Sequence, residues 1–155
     1  MDNSRVIERL IFAYAELLDA GDLEGVADLF AGAEFGGPDD AGVVVGREAV
    51  LAVLTSTVRI HPDGTPRTAH VTTNVSVEMV KGAAVAHSRF TVLQAADGLA
   101  LQPIIAGRYR DRFVEVEGRW SFAERRIFTD LVGDVHQHLL VDPAVLGLRA
   151  PLPPA

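Results

Sequence analysis

The chain contains no cysteine. Disulfides, thiolate metal sites and cysteine nucleophiles are therefore excluded. No apolar run approaches the roughly 20 residues needed to span a bilayer, so no membrane partner is expected. The opening Met-Asp-Asn-Ser-Arg-Val-Ile-Glu is too charged for a secretory signal. Positive charge is scarce: 14 Lys and Arg stand against 21 Asp and Glu, a net charge of -7. That balance argues against nucleic acid, which needs a basic face. There is no glycine-rich nucleotide loop and no carboxylate–histidine metal motif, so neither a cofactor nor a metal is expected. The absence of cysteine is compatible with the cytoplasm, which is the expected location, and a neutral or mildly cationic small molecule is not excluded as a partner. The composition that remains, 48% hydrophobic and 23% charged over 155 residues, is that of one ordinary domain with a real core.

The elements follow from periodicity. Residues 4–20 predict a helix, because Val6, Ile7, Leu10, Ile11, Tyr14, Leu17 and Leu18 recur at three and four. Asp2 or Asn3 can cap it and Gly21 can end it. Asp22 then caps a short second helix that turns Val26, Leu29 and Phe30 inward. Ala33-Glu34-Phe35 and residues 42–46 read as short strands around a Gly-Gly-Pro-Asp-Asp turn. A third helix spans about Arg47 to Ile60. From Thr68 the chain reads as strand after strand: Val71–Val80, Ala83–Leu93, Leu101–Val116 and Arg119–Leu131, with turns at Lys81-Gly82, Ala96-Asp97-Gly98 and Glu117-Gly118. In the third of these, Arg108, Arg110 and Arg112 share one face and Tyr109 and Phe113 the other. In the fourth, Trp120, Phe122 and Phe128 share a parity. Residues 132–155 read as an extended tail with little structure of its own, docked on its own domain or on a neighbour's, after a domain of residues 1–131. Helices segregated from a meander predict α+β: a curved, mostly antiparallel sheet wrapped around the N-terminal helices as a cone, with a pocket between them.

Among residues able to do chemistry, His70 stands out. It heads an extended segment, His-Val-Thr-Thr-Asn, and its best partner is Asp19 at the end of the first helix. A carboxylate there opposes the helix dipole by roughly 0.3–1 kcal/mol, which implies a compensating partner. Tyr14 lies on the apolar stripe, either as a core ring or as a hydrogen-bond donor. Arg125 and Arg126 take opposite faces of the last strand, so at most one faces the cavity. Arg125 either stabilises negative charge there or forms an exposed ion pair with Glu115, Glu117 or Asp111. His87 is a minor pocket candidate. His61 reads as a loop residue, and His136 and His138 as solvent-exposed tail.

Several segments together carry a resemblance. They are Ile7 through Asp19; Asp22 through Phe30; Gly46-Arg47-Glu48-Ala49-Val50; His70 through Asn74; Gly107-Arg108-Tyr109; and Gly118-Arg119-Trp120-Ser121-Phe122 followed by Arg125-Arg126-Ile127. Over residues 4–131 the chain resembles the nuclear-transport-factor-two-like superfamily, with its cystatin-like α+β barrel, and within it the SnoaL-like group. Scytalone dehydratase, hexachlorocyclohexane dehydrochlorinase and bile-acid dehydratase are the enzyme patterns it is most similar to. The resemblance implies a His–Asp dyad on His70 and Asp19, with Tyr14, Arg125 and His87 toward the substrate. The implied activity is that of a cofactor-independent lyase or isomerase, dehydratase- or cyclase-like. Its substrate would be a small hydrophobic cyclic molecule of polyketide or steroid type. The scaffold also hosts non-catalytic members, so a hydrophobic-ligand binder or an assembly module like a ring-hydroxylating dioxygenase small subunit is the alternative. Homodimerisation through the sheet is expected under either reading.

Overall fold

The computed structural model describes residues 2–148; the last seven residues of the expected tail lie outside the described residues. Helix α1 (Asn3–Asp19) is capped by Asp2, whose carboxylate accepts the Ser4 N–H at 3.0 Å. It buries Ile7, Ile11, Tyr14 and Leu18, one per turn of the stripe. The helix stops where Gly21 adopts a φ of 78°, a region closed to most side chains. A Cβ there would also sit 2.0 Å from the Gly64 carbonyl oxygen. The end of α1, and with it Asp19, is thus seated against the loop that precedes the large sheet. Asp22 caps α2 (Leu23–Leu29) through the Gly25 N–H at 2.8 Å.

Strands β1 (Glu34–Gly36) and β2 (Val44–Val45) pair antiparallel and lead into α3 (Arg47–Thr57). Helix α3 ends short of Ile60, because Val58 turns extended and pairs with Leu139. The meander follows as β3 (Thr68–Val80), β4 (Ala83–Ala96), β5 (Leu99–Val116) and β6 (Arg119–Val132). Sheet order is β2-β1-β6-β5-β4-β3, and β1 runs parallel to β6. The architecture is α+β as expected: a curved, mixed and mostly antiparallel sheet that does not close, with the helices against its inner face. At one end of the interior, Phe30, Phe113 and Phe122 interlock, with ring centroids 4.7 Å and 4.5 Å apart around Phe122.

One bulge changes the inside–outside pattern. Phe113 pairs with Phe122, but the next residue, Arg112, pairs with Glu124, so Ala123 is an extra residue on β6. Even-numbered positions face inward before it and odd-numbered ones from Arg125 to Thr129, where a second extra residue, Asp130, switches the pattern back. The shared parity expected for Trp120, Phe122 and Phe128 is therefore broken. Phe122 is in the core, whereas Phe128 lies on the outer face beneath the guanidinium of Arg108. The same shift turns Arg125 inward.

Residues 133–148 dock on the chain's own domain. They fold back over α3 and bury Val135 and Leu139. The strap is tied by its backbone: Arg59 N–H donates to the His138 carbonyl at 2.8 Å, and Leu140 N–H to the Thr57 carbonyl at 2.9 Å. The buried amide of Gln94 donates to both the Pro66 and the Gln137 carbonyls at 3.0 Å, locking strap, loop and β4 together.

Candidate active site

A cavity of about 190 Å³ lies between the inner face of the sheet, α1, α3 and the strap. Its walls are mostly apolar, with Leu18, Phe35, Leu54, Phe90, Val92 and Ile127 among them. His70, His138, Tyr14, Tyr109, Thr57 and Thr129 bring the polar atoms. Gly107 makes room for this wall. A Cβ on it would fall 2.8 Å from the Phe90 ring, which stacks on Tyr109 at 4.4 Å.

The fold brings His70 and Asp19 together. His70 is on an inward-facing position of β3, opposite Val92. Its Nδ1 is 2.5 Å from Asp19 Oδ1. Its backbone N–H donates to Asp19 Oδ2 at 2.7 Å, and the Thr68 hydroxyl donates to Oδ1 at 2.8 Å. Burial raises the Asp19 carboxyl pKa, but the hydrogen bonds and charge of His70, with Thr68, outweigh it and hold the carboxyl below its usual range. An ionised carboxylate can only accept, so Nδ1 carries the proton. That leaves Nε2 as the bare nitrogen of a ring that lines the cavity and is only 6% exposed. These three donors also answer the dipole penalty at the end of α1.

Arg125 is buried, not exposed, and it does not line the cavity. Its Nε and Nη2 donate to the two Asp111 oxygens at 2.8 and 2.7 Å, both side chains fully buried. The guanidinium lies 3.9 Å from the Tyr109 ring centroid and 4.3 Å from that of Tyr14. The expected contact with a ligand is thus corrected: two tyrosine rings stand between Arg125 and the cavity. Tyr14 does reach the wall, where burial raises its phenol pKa.

His87 is on the other face of the sheet. Its neighbours Ala86 and Ser88 point inward, and strand alternation sends His87 out. There it borders a separate cleft of about 300 Å³ with Asn74, Arg89, Arg108 and Arg110. The expectation of a pocket role for His87 does not survive this geometry.

The second cavity histidine is instead His138, which the sequence reading places in an exposed tail. It is 6% exposed, and its ring centroid is 6.5 Å from that of His70. Burial, and then the charge of His70, lower its pKa to about 4. The signal that could have found it is the spacing Val135-x-x-His138-Leu139, an apolar i, i+4 pair that docks one face of a turn.

Among the described residues, no helix is long and apolar enough to cross a membrane. No functionally curated protein matches the sequence. Among solved structures, the fold is similar to that of a single-residue variant of Rv3472, a protein of unknown function from Mycobacterium tuberculosis, at 26% identity. That match has a TM-score of 0.66 over 81% of this chain and 70% of that one. A protein from Novosphingobium aromaticivorans, proposed to be a scytalone dehydratase, matches at 26% identity and a TM-score of 0.68, over 86% of this chain and 88% of that one. ActVI-ORFA of Streptomyces coelicolor shares the fold at 18% identity and a TM-score of 0.67, over 84% and 98% of the two chains. The model of the SnoaL-like domain matches residues 2–126, nearly all of α1 through β6, and the chain belongs to the SnoaL-like family.

Proposed function

We propose that the protein is a cofactor-independent lyase or isomerase that removes a carbon-bound proton from a small cyclic molecule, with His70 as the base. The observation that carries this reading is the hydrogen bond from His70 Nδ1 to Asp19, made behind a ring that lines an apolar cavity. Membership of the SnoaL-like family and the likeness to the Novosphingobium protein favour the same reaction class. The cavity, at about 190 Å³, suits one substituted ring; an engineered cavity of about 150 Å³ binds benzene.

For a cyclic β-hydroxyketone the step balances without a cofactor. His70 Nε2 takes the proton on the carbon next to the carbonyl. The C–H electron pair forms the new C=C bond, the C–O bond breaks, and hydroxide leaves with that proton as water. Asp19 fixes the tautomer and stabilises the imidazolium formed on the way. Tyr14 donates to the leaving hydroxyl oxygen. The charge of Arg125, delivered through two tyrosine faces, favours negative charge developing in the cavity.

The test is dehydration of 3-hydroxycyclohexanone, followed by the absorbance of the enone. His70→Gln and Asp19→Asn are each expected to lower the rate 10²- to 10⁴-fold with the fold intact. An unchanged rate in folded His70→Gln rules out the base. Ligand binding without turnover by any cyclic hydroxyketone favours the alternative, a non-catalytic binder. A homodimer through the outer sheet face fits either reading, since Val71 and Leu131 are exposed there in one cross-strand row. Sedimentation velocity reads the oligomer directly. A cytoplasmic location remains part of the proposal.

A further inference from the structure

His138 has no assigned task, and its environment is specific. Its ring lines the cavity, yet its Nδ1 is buried with no hydrogen-bond partner among the described residues. A proton on Nδ1 would be a buried donor without an acceptor, which costs about 1–3 kcal/mol. The favoured tautomer therefore carries its proton on Nε2, the nitrogen open to a ligand. The backbone around the ring is held on three sides: Arg59 N–H donates to the His138 carbonyl, while Gln94 and His61 Nε2 meet the Gln137 carbonyl at 3.0 Å. This is a fixed donor, not a mobile surface ring.

We propose that His138 is the oxygen-binding group of the cavity, a neutral imidazole whose Nε2–H donates to the carbonyl or enol oxygen of a single-ring ketone held against His70. This rests on the reading of the cavity as the substrate site. The two histidines are complementary. His70, oriented by Asp19, presents a bare nitrogen that accepts a proton; His138 presents an N–H that steadies the oxygen on which the resulting charge accumulates. Neutrality matters because the rings are 6.5 Å apart and His70 becomes positive during the step. A second cation there would oppose proton transfer, and among the described residues Asp19 and His61 also bear on the charge of His138. The prediction for ligand class is sharp: the site prefers an oxygen-bearing ring over a hydrocarbon of the same shape.

Phenol and toluene test this, because they are nearly isosteric and phenol mimics an enol. Each is titrated into the full chain by NMR, using wild type, His138→Phe, His138→Asn and His70→Gln. Wild type is expected to bind phenol up to about tenfold more tightly than toluene, the size of one good hydrogen bond. His138→Phe is expected to lose that preference while toluene binding persists, which also shows the cavity intact. His138→Asn restores part of it, and His70→Gln keeps it. A preference unchanged in His138→Phe overturns the proposal and assigns the oxygen to Tyr14 or Tyr109. Failure of wild type to bind either ligand, or equal binding of both, overturns it as well. Loss of preference in His138→Phe alongside no dehydration by wild type would remove the proposed reaction but leave the oxygen site standing.

Discussion

Asp111 and Asp19 are each paired with a basic side chain, and the two pairs differ in what they leave over. Asp111 and Arg125 are both fully buried, joined by two parallel hydrogen bonds and roofed by Tyr14, Tyr109 and Phe122. Asp19 and His70 are also joined closely, but the imidazole has a second nitrogen and a wall position on the cavity. A guanidinium has no lone pair to offer and never loses its proton, so sealing it in aromatic rings yields a structural element. An imidazole held by one nitrogen remains chemically available through the other. Both basic side chains are buried, yet only the imidazole keeps chemical access to the cavity.

Breaking the sealed pair is expected to have the largest effect on stability. Asp111→Ala leaves a buried cation without a partner and should lower the unfolding free energy by about 3–5 kcal/mol in urea titrations. The double change Asp111→Leu with Arg125→Met should recover much of that, because the desolvation penalty goes with the charges. Equal losses in single and double variants would show that the aromatic roof depends on the guanidinium itself.

A pH effect follows from His138. Its folded pKa, about 4, lies below the ordinary 6.5. The unfolded chain therefore binds more protons between those values, and stability falls as pH drops through the window. The contribution is complete above pH 6.5. It should diminish by up to roughly 1.4 kcal/mol per pH unit toward pH 4. Urea titrations of wild type and His138→Phe across that range isolate it, since His61, His70 and Asp19 remain in both. Parallel slopes would show that His138 titrates alike in both states.

A smaller effect is expected from Gln94→Leu, which removes the donor shared by the Pro66 and Gln137 carbonyls. About 1–3 kcal/mol should be lost, with faster hydrogen exchange at the Arg59 and Leu140 amides before any change in the meander. His87→Ala, on the outer face, should change stability by less than about 0.5 kcal/mol and leave turnover unaffected.

Much of this is legible in the chain. The α1 stripe, the Gly21 stop, the hairpin turns and the inward Tyr109 and Phe113 all follow local rules of period and turn chemistry. A carboxylate at a helix C-terminus needs compensation, which marks Asp19, and the resemblance to the SnoaL-like group pairs it with His70. What cannot be read is non-local. The position of Ala123 as a bulge depends on how β5 and β6 settle against each other, so the inward turn of Arg125 and the outward turn of Phe128 have no signature within β6. The face of His87 is decided by parity along β4, which means little until it is tied to a neighbouring core residue. His138 escapes notice because a short apolar pair outside regular structure looks like a tail until something covers it.

The bulge at Ala123 has a consequence for how this chain tolerates change. Substitution there alters one modest side chain. Deletion of that residue would restore a continuous two-residue alternation and carry everything from Glu124 to Thr129 to the opposite face. Arg125 and Ile127 would turn to the outer face, while Arg126 and Phe128 would press into the interior. In this strand the count of residues is under stricter constraint than their identities.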